Sequence, residues 1–185
     1  MALFMCNTSN IHEMKFGRPQ SVILEAEMPN GAIVTLGAVQ DDKEGDHLHS
    51  ATAVAGASVI GKFIVVAPEI NAQQYRTIDG QIGKFVLEAG EAYSAYMLQK
   101  HDRIEYSDAY FEATLPEVGD KVNPKAKDAN GAVFAASGAA LEVVSVRELW
   151  LPIALQANIE GAQGNGNAAK LMPESCKMIK LEVIA

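Results

Sequence analysis

The chain has 185 residues, 49% of them hydrophobic and 21% charged, with 23 acidic against 15 basic residues and a formal net charge of −8. That length suits one domain, which buries about 70% of its unfolded surface, and the composition excludes wholesale disorder. The acidic balance and scattered Lys and Arg argue against nucleic acid, since neutralising phosphates needs clustered cations.

Residues 1–20 read as an N-terminal arm ahead of a β-rich domain over 21–185. The arm mixes Leu3, Phe4, Met5, Ile11, Met14 and Phe16 with polar residues, and Gly17 and Pro19 then reset the backbone. An arm this apolar must pack on its own domain or on a neighbour. It is too short and too weakly basic for a secretory signal, and no run approaches the ~18 apolar residues of a membrane span. Cys6 and Cys176 are therefore expected to be reduced thiols in a cytoplasmic product.

Ser21–Met28 alternates between apolar and polar residues, and Pro29-Asn30-Gly31 follows. Asn-Gly is a strong hairpin signal, so Ala32–Val39 is the expected return strand. Residues 50–58 are dense in Ala and Ser and suit a weak strand or a loop. Phe63-Ile64-Val65-Val66-Ala67, stopped by Pro68, is the most β-rich apolar run in the chain. It predicts a strand buried on both faces or at the seam of a barrel.

Between Lys84 and Tyr106 the pattern fits either a helical stripe or a hairpin. Gly90 costs about 1 kcal/mol in a helix. This favours a strand Glu91–Leu98, a turn at Lys100-His101-Asp102 and a return strand Arg103–Tyr106. Residues 122–136 read as a polar excursion with a second Asn-Gly at 130–131. Leu141–Leu149 and Met178–Ile184 alternate as strands, separated by a Gly/Asn-rich loop at 161–167. Short strands punctuated by Gly, Asn and Pro turns predict a mainly β domain. The expected architecture is a single sandwich or barrel with hairpins and at most one or two short helices.

Chemical motifs are weak. Gly56 to Phe63 has P-loop spacing, but Phe63 stands where a magnesium-binding hydroxyl is needed, and a β-branched run follows instead of a helix. Gly161, Gly164 and Gly166 present the dinucleotide glycines in the wrong order. His47 and His49, with Asp46, form the best metal candidate, yet a zinc site needs a third well-placed ligand. No nucleophile, cofactor loop or catalytic dyad is spaced to act, so the chain is read as a non-enzyme without a cofactor. Trp150, among Leu149, Leu151, Pro152 and Ile153, suits core or interface. With Leu3, Phe4, Met5 and Phe16 it makes the interface set.

One resemblance rests on an order of features. It begins with Asn30-Gly31-Ala32-Ile33-Val34-Thr35-Leu36-Gly37. Next come Phe63–Pro68-Glu69-Ile70 leading to Tyr75, then Phe85, Glu88-Ala89-Gly90, Ala95-Tyr96-Met97-Leu98-Gln99-Lys100 and Asp102. In this order the chain resembles the head decoration, or auxiliary capsid, proteins of tailed bacteriophages. The position of His101 is usually glycine in that family, so His101-Asp102 departs from its pattern. The resemblance covers about two-fifths of the chain and its landmarks are structural. It implies a virion protein made in the host bacterial cytoplasm and bound outside the assembled head. The implied partners are the major capsid protein and further copies of itself, with no nucleic acid or membrane. A tail or baseplate component is the nearest alternative, and a small-molecule or carbohydrate-binding β-barrel the alternative from another class.

Overall fold

Alternation of apolar residues becomes strand in most places where it was expected. The computed structural model describes residues 5–17, 19–41, 47–67, 86–112, 114–127, 132–135, 137–150 and 175–185. In chain order these form β1 (Cys6–Asn10), α1 (His12–Phe16), β2 (Gln20–Leu24), β3 (Met28–Pro29), β4 (Ile33–Asp41), β5 (His47–Ala53) and β6 (Phe63–Val66). There follow β7 (Val86–Leu87), β8 (Ala92–Met97), β9 (Arg103–Ser107), a 3-10 turn at Asp108–Tyr110, β10 (Lys121–Pro124), β11 (Phe134–Ala135), β12 (Leu141–Trp150) and β13 (Ser175–Val183). The fold is mainly β, with a barrel and a sheet packed together.

The barrel runs β2-β5-β4-β6-β8 and closes where β8 pairs with β2. Its inward side chains include Val22, Leu24, Val34, Ala51, Val65 and Ala95, with Met28 and Leu87 from the small β3-β7 ribbon packed among them. Five strands enclose little volume, so alanine at 51 and 95 lets the walls approach. The Ala/Ser-rich run has the same explanation. A Cβ on Gly37 would lie 2.3 Å from Ser50 Oγ, so β4 and β5 meet with small residues on both sides.

The second layer is a six-stranded sheet, β1-β9-β13-β12-β10-β11. Its inner face contributes Ile104, Tyr106, Leu141, Val143, Ile179, Leu181 and Val183 to one large core. The barrel's outer wall supplies Ile33, Val54, Ile64 and Leu98 to the same cluster. Ile64 therefore faces the sheet while its neighbour Val65 faces the barrel interior, and both are fully buried. The expected burial on both faces holds at Ile64 and Val65, while the barrel closes between β8 and β2 and not at this strand. Pro68 to Tyr75, Phe85 and the Asn130-Gly131 pair lie outside the described residues.

Two pairings differ from expectation. The strands flanking Asn30-Gly31 do not form a hairpin, because β5 lies between β2 and β4 and runs parallel to β2. Gly31 has φ +82° and Ala32 N donates to Pro29 O at 3.2 Å, but Asn30 has no positive φ. A type I′ hairpin turn needs positive φ at both central residues, whereas this geometry matches type II, which splays the flanking strands. Strands β8 and β9 also form where expected, with a turn between them, yet they do not pair. β8 stays in the barrel while β9 joins β1 and β13. The turn carries the chain from one layer to the other.

Two further segments are corrected. The stretch read as a polar excursion contains β10 and β11, paired through Pro124 and Phe134, with Val122 and Phe134 buried in the large core. The alternation in β12 is broken by a bulge at Val144, where Val143 pairs with Leu181 and Ser145 with Lys180. The described part of the N-terminal arm packs on its own domain. β1 is an outer strand of the six-stranded sheet, and Ile11 is fully buried in the large core.

Candidate functional site

Asn30 and Gly31 form a buried junction between the two layers. Asn30 Nδ2 donates to Ala67 O, and Ala67 N donates to Asn30 Oδ1, each at 3.0 Å. The side chain thus supplies the donor and acceptor that a neighbouring strand would offer, extending the β6 ladder by one residue. From the sheet side, Tyr106 Oη donates to Gly31 O at 2.8 Å and Tyr110 Oη donates to Asn30 O at 2.6 Å. Burial pushes the Tyr106 hydroxyl well above its ordinary pKa, which keeps it protonated as a donor. A Cβ on Gly31 would lie 2.4 Å from Cys6 Sγ, so only glycine fits beneath β1 at this positive φ. The Asn-Gly pair is therefore a structural joint.

The outer face of the six-stranded sheet carries the polar chemistry. Arg147 on β12 reaches across β13 to Glu105 on β9, with Nε to Oε1 at 2.6 Å and Nη2 to Oε2 at 2.8 Å. Asn7 Nδ2 on β1 adds a bond of 3.4 Å to Glu105 Oε2. Glu105 is only 4% exposed. Its carboxyl is held below the usual range by the Arg147 hydrogen bonds first, against a desolvation effect of opposite sign. Arg147 is correspondingly raised by Glu105. Further along the face, Glu182 accepts from Arg103 Nε at 2.8 Å and lies 2.9 Å from His101 Nδ1. His101 first and Arg103 second lower the Glu182 carboxyl. The arrangement sets paired charges of both signs along one face of the sheet. Alternating charges at Arg103 and Glu105, and at Lys180 and Glu182, were the sequence signal for this face, since cross-strand neighbours of opposite charge attract.

The residues singled out from sequence fall elsewhere. His47 opens β5, with its Cα opposite Asp41, and His49 lies opposite Val39. His49 Nδ1 is 3.3 Å from Gly37 O. Asp46 lies outside the described residues, and among the described residues no three His, Cys, Asp or Glu side chains gather as a metal site. Leu3 and Phe4 also lie outside the described set. Met5 N donates to Ser107 Oγ at 3.0 Å, and Ser107 N donates to Met5 O at 2.9 Å. Phe16 ends α1, while Trp150 ends β12 with its Cα opposite Ser175. Of the described interface candidates, Met5 precedes β1, Phe16 lies on α1 and Trp150 on β12. Cys6 and Cys176 are separate thiols, half-buried and buried, and burial raises the Cys176 thiol.

An open cleft of about 260 Å³ lies beside the barrel seam, lined by Ser21, Val66, Ala67, Ala92, Tyr93 and Ser94. Tyr93 Oη accepts there from Glu88 N at 2.8 Å. The barrel interior itself is filled by the side chains named above, so a small ligand would find the rim and not a lumen. Comparison of the chain with protein-family models, with curated proteins and with solved structures finds no match.

Proposed function

We propose that the chain is a virion structural protein that decorates the outside of an assembled phage capsid and braces it. The observation that carries this reading is the backbone of His101. It takes φ +73°, the left-handed conformation that glycine adopts freely and other residues rarely do. In the resembling family this position is usually glycine, so the departure in residue type leaves the turn geometry that glycine favours. The other landmarks of the resemblance also carry structural weight. Asn30-Gly31 is the joint between layers, Ile64 and Val65 serve two cores, and Ala95 to Leu98 supply barrel and core contacts.

The mechanism is mechanical. A cement protein needs a scaffold that does not yield when its partner shifts, and a barrel sharing strands with a second core provides one. The charged sheet face, with Glu105 and Arg147 already oriented, meets the major capsid protein without first paying the entropy of ordering those side chains. Many copies on one shell make modest individual affinities sufficient. Fractionating particles from cells that produce the chain tests this reading. It predicts that the chain travels with DNA-filled heads in a copy number tied to capsid symmetry. Recovery only with free tails would favour the baseplate alternative, and recovery only as unattached protein would overturn the virion reading altogether.

A further inference from the structure

The joint between the layers is built from the dipeptide most prone to attack its own backbone. In an open chain the amide nitrogen that follows an asparagine can attack the side-chain carbonyl carbon. Glycine, with no Cβ, leaves that approach least obstructed. The fold nevertheless requires both residues. Only glycine fits at position 31, where φ is +82° and a Cβ would run into Cys6 Sγ. The Asn30 carboxamide offers both the donor and the acceptor that the Ala67 backbone takes up.

The same geometry keeps the two reacting groups from each other. Gly31 N donates to Val65 O at 2.9 Å, while the Asn30 carboxamide is bonded through both its oxygen and its nitrogen to Ala67. Nucleophile and electrophile are thus tied to one stretch of chain, at residues two apart. Asn30 is 4% exposed and Gly31 is buried, which keeps water and base from the Gly31 N–H. Attack requires these bonds to break and the carboxamide to turn toward Gly31 N. That needs β6 to part from the joint.

We propose that Asn30 is a deamidation site guarded by the fold, and that its reaction in an opened chain spoils the joint. The step needs only water. The bond from Gly31 N to Asn30 Cγ forms and the Cγ–Nδ2 bond breaks, and the Gly31 amide proton leaves with the departing ammonia. Water then opens the resulting succinimide at either carbonyl, leaving aspartate or isoaspartate at position 30, with no change of oxidation state. Aspartate lacks the donor to Ala67 O and brings a charge into a buried site. Isoaspartate also lengthens the main chain by a methylene and turns the Asn30 carbonyl, which accepts from Tyr110 Oη, into a free carboxylate. A chain that stays open long enough is marked and hindered from returning. The inference holds whether or not the chain decorates a capsid.

Incubating the full chain in one mildly alkaline buffer, with and without guanidinium chloride, tests it when peptides are mapped by mass spectrometry. Deamidation at Asn30 should accumulate at least about tenfold more slowly in the folded chain than in the denatured one, because the reaction needs the joint to open. Asn130-Gly131 and Asn165-Gly166, followed in denaturant, show that the conditions suffice for such a pair. After the denaturant is removed, the protease-resistant fraction should hold unmodified Asn30, with isoaspartate at position 30 confined to the digested fraction. Equal rates with and without denaturant, or Asn30 intact in denaturant while the other two pairs react, would overturn the guarded site. Isoaspartate at position 30 in the protease-resistant fraction would overturn the loss of the joint.

Discussion

Ile64 and Val65 are consecutive residues in one strand, both fully buried, and they belong to different cores. Ile64 packs against the six-stranded sheet and Val65 fills the barrel, so β6 is the wall between the two. The period-two geometry of a strand makes this possible, since neighbouring side chains leave opposite faces. It also couples the layers mechanically. Ile64→Ala should cost about 2–5 kcal/mol from lost burial and the cavity left behind. Because both cores share β6, urea unfolding of that variant should remain a single transition, with far-UV circular dichroism and Trp150 fluorescence changing together. Separate transitions would mean that the layers fold independently.

The Asn30 side chain completes the β6 ladder through two hydrogen bonds to Ala67. Asn30→Ala removes both and leaves the half-buried Ala67 N–H and C=O without these partners, an effect of about 1–3 kcal/mol. Asn30→Asp keeps the acceptor for Ala67 N but loses the donor to Ala67 O, so it should also destabilise. Tyr110→Phe removes the bond to Asn30 O and should cost about 0.5–1.5 kcal/mol. Urea midpoints at constant slope measure all three.

His101 holds a left-handed conformation that costs a non-glycine residue about 1–2 kcal/mol. His101→Gly should therefore keep or raise stability despite losing the exposed contact to Glu182. His101→Val, whose branched Cβ suits this region worst, should destabilise. Thermal melts of the two variants separate backbone geometry from imidazole chemistry. Equal losses in both would show that the ring, not the backbone, matters.

Glu105 gives the protein a pH dependence with a defined sign. Its carboxyl is held below its ordinary value in the folded chain. Such a group adds stability that is fully present above the unfolded carboxylate pKa and is lost as pH falls through the lower, folded value. Part of the attraction is screened because the Arg147 side chain is half-exposed. Wild type should thus be more stable than Glu105→Gln at neutral pH, and the difference should shrink as pH drops below the ordinary carboxylate range. A difference independent of pH would assign the effect to packing alone.

How much of this was legible in the sequence depends on the range over which each feature is set. β6, β8, β9, β12 and β13 are local patterns, and runs such as Phe63–Val66 and Met178–Leu181 announce themselves through β-branched or alternating residues. Pairing is not local. Asn30-Gly31 looks like a hairpin until the Asn30 side chain is seen bonding Ala67, 37 residues away, and Lys100 to Asp102 looks like one until β9 is found beside β13. β11 has two residues and no period to detect, and its place follows from burying Phe134 beside Tyr106 and Phe111. The charged face went unread, although Arg103 and Glu105 in β9 and Lys180 and Glu182 in β13 alternate in charge. Its centre, Glu105 with Arg147, joins strands 42 residues apart.

Imaging purified heads by electron microscopy, with the chain carrying a visible tag, tests the decoration reading most directly. A decorating role gives tag density on the outer capsid surface at positions related by the shell's symmetry, and loss of that density from heads assembled without the chain. Heads bare of tag, or tag confined to the tail, would contradict it.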